Sequence, residues 1–195
     1  MKPWPCRSVP GVLLLLLLPF ATAAAETYRI DPAHSAIRFR LRHLLGTVNG
    51  SFRQFSGTIE LDREQPTRSS VRVSIQARSI DTGIDKRDEH LRSPEFFAVS
   101  KYPEITFQSR SATQTGAQEG DVKGDFTMHG VTKPIVLHVT FLGPGQGAQT
   151  TRWRVTTPPL NRYEYGLRWS ENVERISMIA RDVSVTIEIE AEAVR

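Results

Sequence analysis

Val122-Lys123-Gly124-Asp125-Phe126-Thr127-Met128-His129-Gly130-Val131-Thr132-Lys133-Pro134-Ile135-Val136-Leu137-His138-Val139-Thr140-Phe141 is the stretch that decides the fold class. In its first half Val122, Gly124, Phe126 and Met128 alternate with Lys123, Asp125 and Thr127; in its second half Ile135, Leu137, Val139 and Phe141 share one face. Period-2 alternation marks a strand with one apolar and one polar face. His129-Gly130 between two such runs reads as a tight hairpin. One wet face per strand argues for an antiparallel sheet rather than a parallel sheet covered by helices on both sides.

The same period runs outward through the chain. Ile37, Phe39 and Leu41 alternate with Arg38, Arg40 and Arg42, and Val71, Val73, Ile75 and Ala77 with Arg72, Ser74, Gln76 and Arg78. Val183, Val185, Ile187, Ile189 and Ala191 alternate with Ser184, Thr186, Glu188, Glu190 and Glu192. Weaker strands fit Phe55-Gly57-Ile59-Leu61, Ile105-Phe107-Ser109 and Trp153-Val155. About eight strands result, separated by Gly, Pro, Asn or Asp, as in all-β chains. A two-sheet sandwich and a closed barrel both satisfy the pattern, and periodicity does not separate them.

Three segments break the alternation. Asp81 to Tyr102 reads as one or two short helical turns near residues 85–98, with Asp81 or Asp85 as candidate caps. Gly143 to Thr151 reads as a mobile loop, and Asn161 to Glu174, with Tyr163, Tyr165 and Trp169, is irregular.

The chain has 195 residues, and its first 25 carry an export signature. Lys2 and Arg7 form a basic start, Val12 to Leu18 with Phe20 a short greasy run, and Ala21-Thr22-Ala23 and Ala23-Ala24-Ala25 offer cleavage sites near Ala23 or Ala25. Residues 26–195 then form one exported domain. The net charge of +4 comes from 25 basic and 21 acidic residues. Without Lys2 and Arg7 it falls to 23 against 21, so nucleic acid is not an expected partner. The single cysteine, Cys6, lies in the leader, which leaves no thiol for disulfides, nucleophiles or thiolate metal sites.

Motifs between the strands carry a family resemblance. They are Y-R-I-D-P-A-H-S-A-I-R-F (28–39), G-S-F-R-Q-F-S-G-T-I (50–59), S-I-D-T-G-I-D-K-R-D-E-H-L-R-S-P-E-F-F (79–97), K-Y-P-E-I-T-F (101–107), G-D-F-T-M-H-G-V-T-K-P (124–134) and N-R-Y-E-Y-G-L (161–167). In this order they resemble the YceI-like family of bacterial periplasmic polyisoprenoid-binding proteins. The resemblance implies an antiparallel lipocalin-like barrel whose apolar interior holds a long isoprenoid or similar lipid. It thereby supplies the choice between barrel and sandwich.

The expected wall comprises Ile37, Phe39, Leu41, Phe55, Ile59, Val73, Ile75, Phe107, Phe126, Leu137, Val139, Phe141, Val185 and Ile187. By period alone these residues fill a solid core; the resemblance turns the set into a wall. Ten buried methylenes contribute ~8 kcal/mol, near micromolar affinity before ordering costs. Phe96 and Phe97 are candidates to line or close one mouth, one ring inside and the other under the loop. His43 shares parity with the inward residues of its strand and needs a hydrogen-bond partner. Arg87 either meets a polar head group or forms a structural ion pair with Asp88, the second being favoured. The arginine face reads as balanced by Glu188 and Glu190, with a transient membrane-surface contact as the alternative.

No catalytic residue, metal ligand or cofactor is nominated. The five histidines show no compact pair, and no G-x-S-x-G elbow occurs. The rival reading is a metal- or carboxylate-assisted enzyme acting on a lipid-like substrate at the Asp85–His90 loop. The oligomeric state stays open, with a dimer allowed.

Overall fold

The computed structural model describes residues 25–147, 149–170, 172, 174, 176 and 178–194. The export leader expected over residues 1–25 lies, apart from Ala25, outside the described residues. Among those described, twelve strand segments join into one antiparallel sheet. The segments reduce to eight staves, because four staves bend and are interrupted once.

The staves are β1 (Glu26–Ile30 and Ala36–His43), β2 (Gly46–Phe52 and Phe55–Leu61) and β3 (Ser70–Gln76 and Ile80–Asp81). Next come β4 (Glu104–Gln114), β5 (Glu119–Met128) and β6 (Val131–Pro144). The last two are β7 (Thr150–Thr156 and Leu160–Asn161) and β8 (Asp182–Ala193). Each pairs with the next in sequence. Closure occurs on β8. One edge holds β7, from Thr150 opposite Glu192 to Thr156 opposite Thr186. The other edge holds both halves of β1: Leu41 opposite Val183, then Ile30 opposite Ala191. The result is a closed eight-stranded antiparallel barrel, a meander with no crossover, as the resemblance implied.

The expected hairpin forms: His129 (φ 52°) and Gly130 (φ 74°) are both left-handed, the requirement of a two-residue turn that matches strand twist. The loop read at Gly143 to Thr151 is shorter, because β6 runs through Pro144 and β7 starts at Thr150. Gly145 N–H donates to Thr150 O (3.0 Å) and Gln146 N–H to Glu190 Oε1 (2.9 Å). Glu190 is therefore buried as a turn anchor rather than balancing the arginine face. That face is served by Glu188, 3.0 Å from Arg38, and by Asn49, 3.1 Å from Arg40.

One end of the barrel carries the Leu44-Leu45 turn, the segment between β3 and β4, the 129–130 hairpin and the segment between β7 and β8. We call it the helix end, because α1 (Asp85–Arg92) sits there. Residues 62–69, 115–118, Ala25 and Val194 lie at the other. Arg92 fastens α1 to the bend in β3, its Nε and Nη2 donating to Arg78 O (2.8 Å) and Ile80 O (2.7 Å). Neither expected acid caps the helix. Ile84 holds the cap position with no side-chain bond, while Asp81 accepts Gly83 N–H (2.8 Å) in the turn before it.

Candidate functional site

Alternation aims one face of every stave at the barrel axis, and the side chains there do not meet across it. They enclose a cavity of about 1010 Å³, lined mostly by apolar side chains and reaching from α1 to the 115–118 turn. That volume lies at the upper end of the ~300–1,000 Å³ typical of small-molecule sites.

Two glycines help keep the bore open. Gly50 and Gly124 occupy inward positions, and the rings of Phe39 and Phe107 lie where their Cβ atoms would stand. The aromatic bulk is thus laid along the wall instead of across the axis.

Most of the expected wall surrounds this cavity: Ile37, Phe39, Leu41, Ile59, Val73, Ile75, Phe107, Phe126, Leu137, Val139, Phe141, Val185 and Ile187. Phe55 does not. It is buried in the packed cluster beside the break in β2 at residues 53–54, where strand parity no longer tells bore from core. Several lining residues were not among the expected wall. Val48 and Phe52 belong to a half-stave rich in Gly, Asn and Thr, and Trp153 and Val155 to a strand with few apolar positions.

Phe96 and Phe97 both line the cavity, against the expectation that they divide. They stand in a turn rather than a strand, so alternation does not apply. Their rings meet at 5.4 Å, and contacts continue from Phe97 to Phe52 (6.2 Å) and from Phe52 to Phe39 (5.7 Å). This aromatic series links the helix end to the bore.

His43 lines the same end, and its Nδ1 accepts Leu45 N–H at 3.4 Å within its own turn. The favoured Arg87–Asp88 ion pair is replaced by a shared partner. Arg87 donates from Nε to Thr82 Oγ1 (2.8 Å) and from Nη2 to Thr82 O (2.9 Å). Asp88, buried, accepts Thr82 N–H (3.0 Å) and Thr82 O–H (2.5 Å). Helical spacing puts adjacent residues 87 and 88 on different sides, and Thr82 bridges them. Arg87 also borders the cavity.

The irregular segment before β8 adds a polar element that sequence reading did not isolate. Arg162 and Glu174, both buried, pair at 2.7 Å and line the helix end of the cavity. Arg162 donates further to Ala180 O (3.0 Å) and Leu167 O (2.8 Å), and Glu174 Oε1 accepts Trp169 N–H (2.5 Å). Trp169 in turn stacks on His90, ring centroids 4.7 Å apart. Among the described residues no three His, Cys, Asp or Glu side chains gather in a metal-binding arrangement.

The bore is thus apolar along its walls, with a small buried polar cluster at the helix end. Residues 28–191 match the model of the YceI-like domain. Protein YceI of Salmonella arizonae is 40% identical over 136 residues, covering 68% of this chain and 71% of that protein. Among solved structures, Burkholderia cenocepacia BcnA superposes with a TM-score of 0.74 at 20% identity, over 83% of this chain and 98% of its own. A polyisoprenoid binding domain from Saccharophagus degradans, implicated in plant cell wall breakdown, superposes with a TM-score of 0.67 at 21% identity, over 88% and 100%.

Proposed function

Because this chain belongs to the YceI-like domain family, we propose that it is a non-enzymatic carrier that holds a long apolar lipid, polyisoprenoid or similar, in its bore. The observation that carries this reading is a cavity of about 1010 Å³ with apolar walls. Left empty, walls around such a volume forgo the contacts that a packed core makes. Water would find few partners along these walls. A prenyl chain, with ~0.8 kcal/mol for each methylene removed from water, fits both requirements. The polyisoprenoid binding domain from Saccharophagus degradans, which shares the fold, supports the lipid class.

The helix end is the proposed entrance. Leu44, Leu45, Ile84, Trp169, Ile176 and Met178 are exposed there, whereas a water-facing rim would be polar. An apolar rim around an apolar bore suits a transient landing on a membrane surface, from which a lipid enters without crossing water. The basic, greasy first 25 residues support a periplasmic site of action.

Uptake is the test. Delipidated protein incubated with vesicles containing a C40 prenyl alcohol should leave them carrying about one prenyl chain per protein. Its thermal midpoint should rise with lipid concentration, as mass action requires. Vesicles that keep all their prenyl lipid, with an unchanged midpoint, would refute the carrier reading.

A further inference from the structure

Buried polar atoms almost always find hydrogen-bond partners. Three on residues lining the cavity do not find one among the described residues: Arg162 Nη2, His90 Nε2 and Thr157 Oγ1. All three lie at the helix end, two in the segment after Thr156 and one on α1. Arg162 is 3% exposed. Its Nε and Nη1 serve Ala180 O, Leu167 O and Glu174, so Nη2 is the donor left over. His90 is joined to this group by its stack on Trp169, whose N–H is held by Glu174. The Nδ1 of His90 faces the carboxylate of Glu95 at 3.7 Å, which favours a proton on Nδ1 and leaves Nε2 as an acceptor.

On the carrier reading above, which this inference deepens, we propose that Arg162 Nη2, together with His90 Nε2 and Thr157 Oγ1 on the same cavity lining, forms a head-group site at the helix end. The site takes a neutral, oxygen-bearing end such as a hydroxyl or carbonyl. Neutrality follows from Glu174. Its carboxylate, 2.7 Å from Arg162, already balances the guanidinium, so a phosphate would bring uncompensated charge into a buried place. A hydroxyl supplies what the rim lacks, an acceptor for Nη2 and a donor for Nε2. Arg87 and Lys86 also border this end, but the carboxylate of Asp88 shares Thr82 with Arg87 and opposes its charge, and Lys86 is exposed to solvent. The guest then lies in one direction, head at the apolar rim and tail toward the 115–118 turn, as tail-first entry from a membrane would leave it.

The experiment offers delipidated protein three C20 probes in one set of vesicles: geranylgeraniol, the hydrocarbon of the same chain, and geranylgeranyl diphosphate. Bound lipid is quantified by mass spectrometry. Loss of a hydrogen bond to a charged donor predicts retention of the alcohol over the hydrocarbon by on the order of tenfold, and over the diphosphate as well. The alcohol-to-hydrocarbon ratio should fall toward one in Arg162→Met and part of the way in His90→Phe, while hydrocarbon uptake persists. Should Arg162→Met not fold, the wild-type ratio and His90→Phe decide. Equal retention of alcohol and hydrocarbon, or a preference for the diphosphate, overturns the head-group site alone. Uptake of no probe overturns the carrier reading with it.

Discussion

The ring of Phe39 lies directly across Gly50, its cross-strand partner: a Cβ on residue 50 would stand 2.7 and 2.9 Å from the two Cε atoms. The missing side chain is what lets a phenylalanine line the bore without narrowing it. Gly50→Ala should therefore swing Phe39 toward the axis, with overpacking costing ~1–3 kcal/mol. Urea unfolding would report the loss, and prenyl-lipid capacity should fall by more than the stability change explains. Unchanged capacity would mean that the ring does not control the width of the bore.

Thr82 is held by Asp88 through two bonds, and Asp88 is only 4% exposed. Removing the carboxylate in Asp88→Ala leaves the Thr82 N–H and O–H without it. The expected loss is about 2 kcal/mol, in the range for orphaned buried donors. Hydrogen exchange should quicken across α1, since the clamp joins the helix to the end of β3. Arg87→Met, which removes bonds to Thr82 oxygens from a half-buried side chain, should cost less.

His34 and Asp31 form an exposed pair at 2.6 Å. The hydrogen bond to Asp31 raises the His34 pKa above 6.5, and the same bond, with the Ala33 N–H, lowers that of Asp31. The sign is fixed by these directions. The raised histidine contributes stability that is full below pH 6.5 and lost as pH rises through its folded midpoint. The lowered aspartate contributes stability present above its unfolded value and lost as pH falls through its folded one. NMR titration should place His34 above 6.5, and Asp31→Asn should return it toward that value. An unshifted His34 in the wild-type protein would contradict the pairing.

Leu45 is 89% exposed at the tip of the β1–β2 turn. If the helix end lands on membranes, Leu45→Glu should slow lipid transfer from anionic vesicles several-fold while leaving the thermal midpoint of the loaded protein in place. Transfer at the wild-type rate would move the landing surface elsewhere.

Period-2 alternation carried the barrel walls because one inward face repeats on every stave, and Val122 to Phe141 displays it in full. It failed where a stave bends. Phe55 keeps the parity of Ile59 but sits next to the break at 53–54, and Phe96 and Phe97 stand in a turn where parity has no meaning. Closure itself rests on β8 sharing one edge between two halves of β1, a long-range pairing that no local period encodes. The buried polar cluster was hidden for another reason. Arg162 and Glu174 are twelve residues apart in an irregular segment, and charged residues in such segments are usually solvated. Only the fold shows that both are buried.

The central claim is that the bore is filled by an apolar guest. Native mass spectrometry of the protein purified without detergent, followed by organic extraction of the same sample, tests it most directly. The expected result is a mass excess matching one extractable long-chain lipid per protein. A native mass equal to the polypeptide alone, unchanged after exposure to prenyl-lipid vesicles, would contradict it.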